Sequence, residues 1–403
     1  MEWYEVGLGL LGLLMFLIAI GLPIPFALAA ASLPFLWQIQ SFDTSLVSAQ
    51  LKLWGVWIDY ILLAVPLFVF LGELIGRSNI GPNLYQFLHQ GVRVRGSAAY
   101  GSIGACAGFG AVCGSSMVGS LTIGGVALPE MLRYKYDGRL ATGAIAAGGT
   151  LGILIPPSTG FILYAILTEE SIGRLFLAGI IPGLLLAALF VTTISLVTWL
   201  NPSMGPPGPK RPLEERLRAS LGALPTIAII LITIGGIYSG IFTVVEAAGI
   251  GAFLAFLLTI VRRRLTLVML RDACLSTVTT TAFVFFILVG ASVFTPFVAL
   301  TGIPTTLAEA LQALNLPSLG ALIMILLSYL VLGCFLEGFA MLVLTLPIVH
   351  PMILDLGFSP IWFGVLMVIM LEMGLISPPV GINVYVVKGI AGDIPMSDIF
   401  RGI

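Results

Sequence analysis

Long apolar runs, separated by short polar or glycine- and proline-rich segments, fill most of the chain. A run of about 20 apolar residues can cross the roughly 30 Å hydrocarbon core of a membrane as a helix. The first run is open to two interpretations, one long helix or two short ones, because Gly21 to Pro25 interrupts it. The pattern predicts an all-α polytopic membrane protein with apolar spans at residues 5–37, 58–76, 138–166, 175–199, 222–240, 243–261, 273–298 and 361–390.

Two other apolar stretches, 98–130 and 320–350, are rich in Gly, Ser or Thr near their centres. Each fits either a plain spanning helix or a re-entrant helical hairpin whose tip lies at membrane depth. Non-helical backbone is tolerated at that depth only where it is buried in protein or faces water. The internal repeat described next favours the hairpins.

The second half of the chain repeats the first at a nearly constant offset. Gly152 to Pro157 reads Gly-Ile-Leu-Ile-Pro-Pro and recurs 222 positions later, at Gly374 to Pro379. Each copy places two prolines inside an apolar stretch, where proline removes a backbone donor and interrupts a helix. Paired apolar segments of this kind, broken in both halves, point to the binding site of a secondary transporter.

The charged residues predict that the two copies have opposite orientations. Lys and Arg mark cytoplasmic loops, and the first copy carries Arg133, Lys135 and Arg139 in one loop. The corresponding residues of the second copy, 355–361, include no basic residue. We therefore expect an inverted-topology repeat, with residues 1–200 as the first copy, 201–220 as a cytoplasmic linker and 221–403 as the second copy.

The two copies also differ in length. The first continues through a full apolar span up to about residue 199, whereas the sequence ends at Ile403 shortly after the equivalent point. By the offset we expect the second copy to lack its last helix.

Composition narrows the class of protein. The chain is 59% hydrophobic and 9% charged, against about 25% charged residues in an ordinary soluble domain. With a net charge of -1 and no basic stripe to neutralise phosphates, nucleic-acid binding is not expected. The four cysteines lie in apolar or glycine-rich sequence and are interpreted as core residues. No cofactor, no phosphate-binding loop of an ATP-driven pump and no catalytic motif is recognised, so we expect a protein that is not an enzyme.

The centre of the first hairpin, Gly110 to Ser116, consists of small and hydroxyl residues. Small residues let backbone carbonyls point at a cation, and hydroxyls add the oxygen ligands that hard cations need. Tight packing between helices is the alternative interpretation. At the Pro-Pro breaks, upstream carbonyls lose their donors and need an ion, water or side chain as partner, unless the break is only a kink. The polar residues nearest to the breaks are Ser158, Thr159, Ser377 and Asn383.

Two carboxylates, Glu337 and Glu372, lie in apolar surroundings. A charge at mid-bilayer costs about 2.5–3.5 kcal/mol on insertion scales, so such residues usually face the protein interior and mark ion or proton pathways. The offset matches Glu337 to Ser115, which places it at the tip of the second hairpin. Glu372 precedes the second Pro-Pro break. Glu246 is a weaker candidate, for which a helix cap is the favoured interpretation.

Several of these segments resemble the large membrane subunit of tripartite ATP-independent periplasmic (TRAP) transporters, and the likeness follows nearly the whole chain in order. The segments that carry the likeness are Gly110–Ser116, Val126–Met131, Ala146–Pro157, Gly236–Glu246 and Glu372–Gly381. The resemblance implies a Na⁺-coupled symporter in a prokaryotic inner membrane that imports a small, carboxylate-bearing organic anion. It implies two partners, a periplasmic substrate-binding protein and a small four-helix membrane subunit. The implied fold is an elevator, in which two hairpins and two broken helices move beside a scaffold.

The resemblance also implies roles for individual residues. One Na⁺ site would consist of Gly114, Ser115 and Ser116 with backbone from Gly152 to Pro156. The other would consist of Gly333, Glu337 and Gly338 with backbone from Gly374 to Pro378, including Ser377. Substrate would lie near Ser158, Thr159 and Asn383, and Glu372 would belong to an ion or proton pathway. A stand-alone ion-coupled dicarboxylate carrier is the alternative function, and a passive channel is a less favoured alternative.

Overall fold

The computed structural model describes residues 3–39, 41–78, 80–91, 94–208, 212–313 and 316–403. Within these residues the regular elements are helices, and the one β feature is an isolated bridge between Arg95 and Pro207. Seven of the described helical segments are long and apolar enough to cross a membrane. The prediction of an all-α polytopic membrane protein is confirmed.

The first run of apolar residues forms two helices. Helix α1 ends at Ala19 and α2 begins at Ile24, with Gly21 between them at a φ of 87°, a left-handed conformation that favours glycine. Helix α3 was not among the predicted spans, because Asp43, Gln50 and Lys52 interrupt its apolar pattern. The helices up to the first hairpin are α1 (Trp3–Ala19), α2 (Ile24–Ile39), α3 (Phe42–Ile58), a 3₁₀ turn (Tyr60–Leu63), α4 (Ala64–Arg77) and α5 (Ile80–Gly91).

Each of the two glycine-rich stretches folds as a helical hairpin. The first turns at Gly114, whose φ of 58° ends one arm, and the second arm begins at Ser116. The second turns between Gly333 and Gly338. Both hairpins are followed by a helix that breaks at its Pro-Pro pair. The first set comprises α6 (Ser97–Cys113), α7 (Ser116–Arg133), α8 (Gly138–Leu154), α9 (Thr159–Thr168) and α10 (Ile172–Leu200).

The second half contains the remaining nine helices of the described chain. Helix α11 begins at Leu213, inside the 201–220 segment that was predicted as a linker. The helices are α11 (Leu213–Tyr238), α12 (Val244–Val261), α13 (Leu267–Thr301), α14 (Ile303–Ala313), α15 (Ser318–Gly333), α16 (Gly338–Asp355), α17 (Pro360–Ile376), α18 (Ile382–Ile390) and α19 (Met396–Gly402).

Equivalent elements of the two halves begin at the offset seen in the sequence. Helices α7 and α16 begin at residues 116 and 338, α8 and α17 begin at 138 and 360, and α9 and α18 begin at 159 and 382. The opposite orientation of the two copies stays a prediction. At the end of each set, α10 has 29 residues and α19 has 7.

We divide the helices into two groups, which meet where α5 packs on α6 and α13 packs on α16. We call α6–α10 with α15–α19 the hairpin bundle, because both hairpins and both broken helices lie in it, with α6 on α8 and α15 on α17. We call α1–α5 with α11–α14 the outer helices, of which α4 packs on α12 and α13. Large apolar side chains such as Ile181, Leu231 and Leu267 are exposed on long helices of both groups, as expected of surfaces that face lipid.

Candidate functional site

The tip of the first hairpin lies directly against the first helix break. A methyl group on Gly110 would lie 2.5 Å from the Cα of Gly152, and one on Gly152 would lie 2.9 Å from the carbonyl oxygen of Ser115. On the other side of the break, Thr159 Oγ1 donates to the carbonyl oxygen of Gly114 at 2.8 Å. Glycine at these positions therefore lets two backbones meet, which brings carbonyl oxygens and hydroxyls of both segments together.

The same relation holds in the second half. A methyl group on Gly374 would lie 2.7 Å from the carbonyl oxygen of Gly333 and 2.8 Å from its Cα. Gly338 begins the arm that follows, beside Leu371 of α17. At the break itself, Ser377 Oγ donates to the carbonyl oxygen of Met373 at 2.6 Å. The predicted residues Gly333, Gly338 and Gly374 thus come together, with Ser377 one turn further along.

Glu337 caps the second arm of its hairpin. Its Oε2 accepts hydrogen bonds from the backbone N–H groups of Phe339 at 3.0 Å and Ala340 at 3.1 Å. Its Oε1 has no hydrogen-bond partner among the residues that the structure describes. A carboxylate oriented by its own helix, with one oxygen still available, is well suited to bind a cation.

A cavity of about 480 Å³ lies between the hairpin tips and the outer helices. This volume is within the roughly 300–1,000 Å³ of typical small-molecule sites. The hairpin bundle contributes Ser115, Ser116, Thr159, Glu337 and Gly338 to its wall. The polar residues of the outer helices in this wall are Glu73 of α4 and Ser276, Thr279 and Thr280 of α13.

The two hairpins present helix ends of different character to this cavity. An N-terminus carries roughly half a positive charge from its unpaired N–H groups. Helix α16 has the Glu337 carboxylate on its N-terminus, whereas Ser115 at the start of α7 makes no capping hydrogen bond. Ser115, Ser116, Met117 and Val118 of this uncapped end all line the cavity. The first hairpin thus offers donors to an anion, and the second offers a carboxylate to a cation.

A buried hydrogen bond joins the two halves of the chain. Ser116 Oγ lies 2.7 Å from Oε1 and 2.8 Å from Oε2 of Glu372. The two residues are 1% and 2% exposed. Ser116 belongs to the first hairpin, and Glu372 lies two residues before Gly374, so this contact connects the neighbourhoods of both predicted ion sites.

We expect the Ser116→Ala variant to lose stability and Na⁺ affinity together. Leaving a buried acceptor without its donor costs about 1–3 kcal/mol, and more for a charged group. Ser120→Ala is the matched control, because Ser120 lies one turn along the same helix and its buried hydroxyl has no partner among the described residues. Melting temperature and the Na⁺ dependence of uptake are the measurements. Equal behaviour of the two variants would show that the Ser116–Glu372 contact contributes nothing.

The three predicted substrate residues have different environments. Thr159 lines the cavity. Ser158 is fully buried and its hydroxyl caps α9 by accepting from the N–H of Phe161 at 3.2 Å. Asn383 is also fully buried, and neither atom of its amide has a hydrogen-bond partner in the described part of the chain. Thr159 is therefore the member of this set that can meet a ligand in the cavity as it stands.

The polar residues of the outer helices that line the cavity, which form its outer wall, were not identified from the sequence. Glu73 Oε1 accepts from Ser276 Oγ at 2.6 Å, and its Oε2 pairs with Arg77 Nε at 2.8 Å. A signal was present, because residues 276–281 contain a run of hydroxyls within an apolar span and Glu73 interrupts another such span. Neither segment contains a Pro-Pro pair that recurs in the other half of the chain.

Comparison with known proteins identifies the family. Residues 11–403 match the family described as "Tripartite ATP-independent periplasmic transporter, DctM component". The chain belongs to this family. The DctM-family chain is thus a component of a transporter and not an enzyme, and it is a multi-pass protein of a bacterial inner membrane.

Named relatives cover most of this DctM-family chain. The C4-dicarboxylate TRAP transporter large permease protein DctM of Pseudomonas aeruginosa is 34% identical over 352 residues, which are 86% of this chain and 82% of the relative. The sialic acid TRAP transporter large permease protein SiaM of Vibrio cholerae is 35% identical over 386 residues, 95% of this chain and 89% of the relative. Among solved structures, the YdaH transporter of Alcanivorax borkumensis has a similar fold, with a TM-score of 0.58 and 15% identity over 87% of this chain and 83% of that chain.

Proposed function

We propose that this chain is the large membrane subunit of a Na⁺-coupled importer of a small organic anion that a periplasmic binding protein delivers. The observation that carries this proposal is the convergence of both hairpin tips and both helix breaks on one cavity. Discontinuous helices of secondary transporters commonly use unwound carbonyls for Na⁺ and helix N-termini for anionic substrate. Backbone carbonyls at the helix breaks and the N-terminus of α7 line this cavity or lie next to it.

The first Na⁺ would bind where the first tip meets the first break. The carbonyl oxygen of Ser115 lies against Gly152, that of Gly114 accepts from Thr159 on the other side of the break, and Ser116 follows Ser115 in the chain. The second would bind at Glu337, Gly333 and Gly338 with backbone from Gly374 to Ser377. Hard monovalent cations are held by several such oxygens, and Glu337 adds a formal charge to the second site.

The anionic end of the substrate would bind at the uncapped N-terminus of α7. Ser115, Ser116 and Met117 of this helix end line the cavity. Relatives named for C4-dicarboxylates and for sialic acid support an organic acid as substrate. Binding of Na⁺ beside the same tip would strengthen anion binding, which provides a physical basis for coupling.

Transport would proceed by an elevator movement, in which the hairpin bundle slides against the outer helices and moves the cavity across the membrane. The recurrence of equivalent helices at one offset supports an internal repeat, and the absence of basic residues at 355–361 supports its inversion. Inverted repeats are the usual basis of alternating access in such folds. The small four-helix membrane subunit would bind the outer helices, and the binding protein would dock on the periplasmic face.

Uptake into proteoliposomes tests this function against its alternatives. The vesicles contain the chain with its small membrane subunit, and loaded binding protein is added outside with or without an inward Na⁺ gradient. Accumulation that requires both the gradient and the binding protein is the expected result. Gradient-driven uptake without the binding protein would show a stand-alone carrier, and flux that only equilibrates would show a passive channel.

A further inference from the structure

The hydroxyl groups that line the cavity have mostly used their one donor proton inside the protein. Thr159 donates to the carbonyl oxygen of Gly114 at 2.8 Å, and Thr279 donates to the carbonyl oxygen of Leu275 at 2.9 Å. A carbonyl oxygen can only accept, so the hydroxyl must be the donor in both bonds. What Thr159 and Thr279 can still offer to a ligand is lone pairs.

Ser276 is in the same situation on the outer wall. Its Oγ lies 2.6 Å from Oε1 of Glu73, whose other oxygen pairs with Arg77 at 2.8 Å. Ser276 is the donor in this contact, because a carboxylate oxygen accepts. Glu73 itself keeps free lone pairs, since an ionised carboxylate accepts at about four positions. Arg77 does not line the cavity.

The cavity therefore has few donors away from the first hairpin. Ser116 also donates, to Glu372, and Glu337 is acceptor-only when ionised. The lining hydroxyls that make no such bond among the described residues are Ser115 and Thr280. Apart from these two, the polar side chains of this wall present acceptors, and the donors for an anion are concentrated at the N-terminus of α7.

We propose that the substrate is a monocarboxylate whose remaining length carries several hydroxyl or amino donors, and not a plain dicarboxylate. The carboxylate would bind at the N-terminus of α7, and the donors would face Glu73, Ser276 and Thr279 on the outer wall. The second carboxylate of a dicarboxylate would bring only acceptors and a further negative charge to a wall that already presents acceptors and the Glu73 carboxylate, so it would find no donor there except the Thr280 hydroxyl. This inference rests on the proposed function and names the substrate class of the same site.

Ligand-dependent melting of the purified membrane complex tests the proposal without the selectivity of the binding protein. A ligand that binds only the folded state raises the melting temperature according to its concentration relative to Kd. The hydroxylated probes are glycerate, gluconate and N-acetylneuraminate, and the plain dicarboxylates are malonate, succinate and glutarate. In Na⁺ buffer we expect the best hydroxylated probe to bind at least about 10-fold more tightly than any of the dicarboxylates.

Substitutions in the outer wall test whether Glu73 and Thr279 cause the preference for the hydroxylated probe. Glu73→Gln brings N–H donors to the wall and releases Arg77, so it should reduce the preference for the hydroxylated probe by about 10-fold. Thr279→Val removes one acceptor and should weaken that probe by roughly 3- to 10-fold. Thr281→Val is the matched control, because Thr281 lies on the same helix but lines a different pocket. It should leave the preference unchanged.

The possible outcomes separate this inference from the proposed function. A dicarboxylate that binds as tightly as the hydroxylated probes, or no response to any hydroxylated probe, overturns the substrate class. A preference that Glu73→Gln and Thr279→Val leave unchanged overturns the role of the outer wall. Tight binding of a hydroxylated probe that is the same in Na⁺ and K⁺ buffer would support the substrate class and contradict Na⁺ coupling.

Discussion

Replacement of Glu337 by glutamine is expected to abolish Na⁺-driven uptake while the chain stays folded in the membrane. Glutamine keeps the length and one acceptor oxygen, so a cap of α16 at Phe339 and Ala340 can persist. What it removes is the formal charge opposite the bound cation. Removing one partner of a buried ion pair costs about 3–5 kcal/mol, so the Na⁺ concentration for half-maximal uptake should rise on the order of 100-fold or more.

Glu246→Gln is the matched control for this prediction. Glu246 also accepts at a helix start, from the N–H of Thr243 at 2.8 Å, but it is exposed and does not line the cavity. Uptake and its Na⁺ dependence should be unchanged in this variant. The same Na⁺ dependence in Glu337→Gln as in the unmodified chain would refute Glu337 as an ion ligand.

Alanine at Gly374 is expected to destabilise the second hairpin and to stop uptake. The added carbon would lie 2.7 Å from the carbonyl oxygen of Gly333 and 2.8 Å from its Cα. These are backbone atoms, which cannot rotate away as a flexible side chain can, so the hairpin must move. Overpacking of this kind costs roughly 1–3 kcal/mol. It also displaces the carbonyls that would bind Na⁺, so uptake should fall to background.

Gly125→Ala provides the comparison for this variant. A methyl group at Gly125 meets nothing within 4 Å, and alanine in a helix is favoured over glycine by up to about 1 kcal/mol. This variant should therefore melt at the same or a higher temperature and transport normally. A Gly374→Ala protein that melts and transports like Gly125→Ala would contradict the close approach of the second hairpin to its helix break.

The elements that could be predicted from the sequence are those marked by residues that recur at a fixed offset along the chain. The hairpins and the Pro-Pro breaks could be located because glycine and proline act on the backbone at their own position and occur twice at one offset. Glu337 could be assigned to a hairpin tip for the same reason. By contrast, α3 was missed, since its polar residues dilute the apolar pattern that identifies a spanning helix.

Contacts between distant segments could not be predicted in this way. The Ser116–Glu372 hydrogen bond joins residues 256 positions apart, and no periodicity in a single segment encodes such a partner. The burial of Asn383 likewise depends on how neighbouring helices pack around α18. The position of Glu73 and Ser276 opposite the hairpin tips follows from the packing of α4 and α13 against the hairpin bundle, which requires the tertiary structure.

The central claim is that substrate and Na⁺ move together through the site made by the hairpin tips. The most direct measurement is ²²Na⁺ entry into proteoliposomes when substrate-loaded binding protein is added to the outside. The account predicts ²²Na⁺ entry in proportion to substrate uptake in the unmodified chain, and neither flux in Glu337→Gln or Gly374→Ala. Substrate uptake without ²²Na⁺ entry, or coupled fluxes that both variants leave intact, would contradict it.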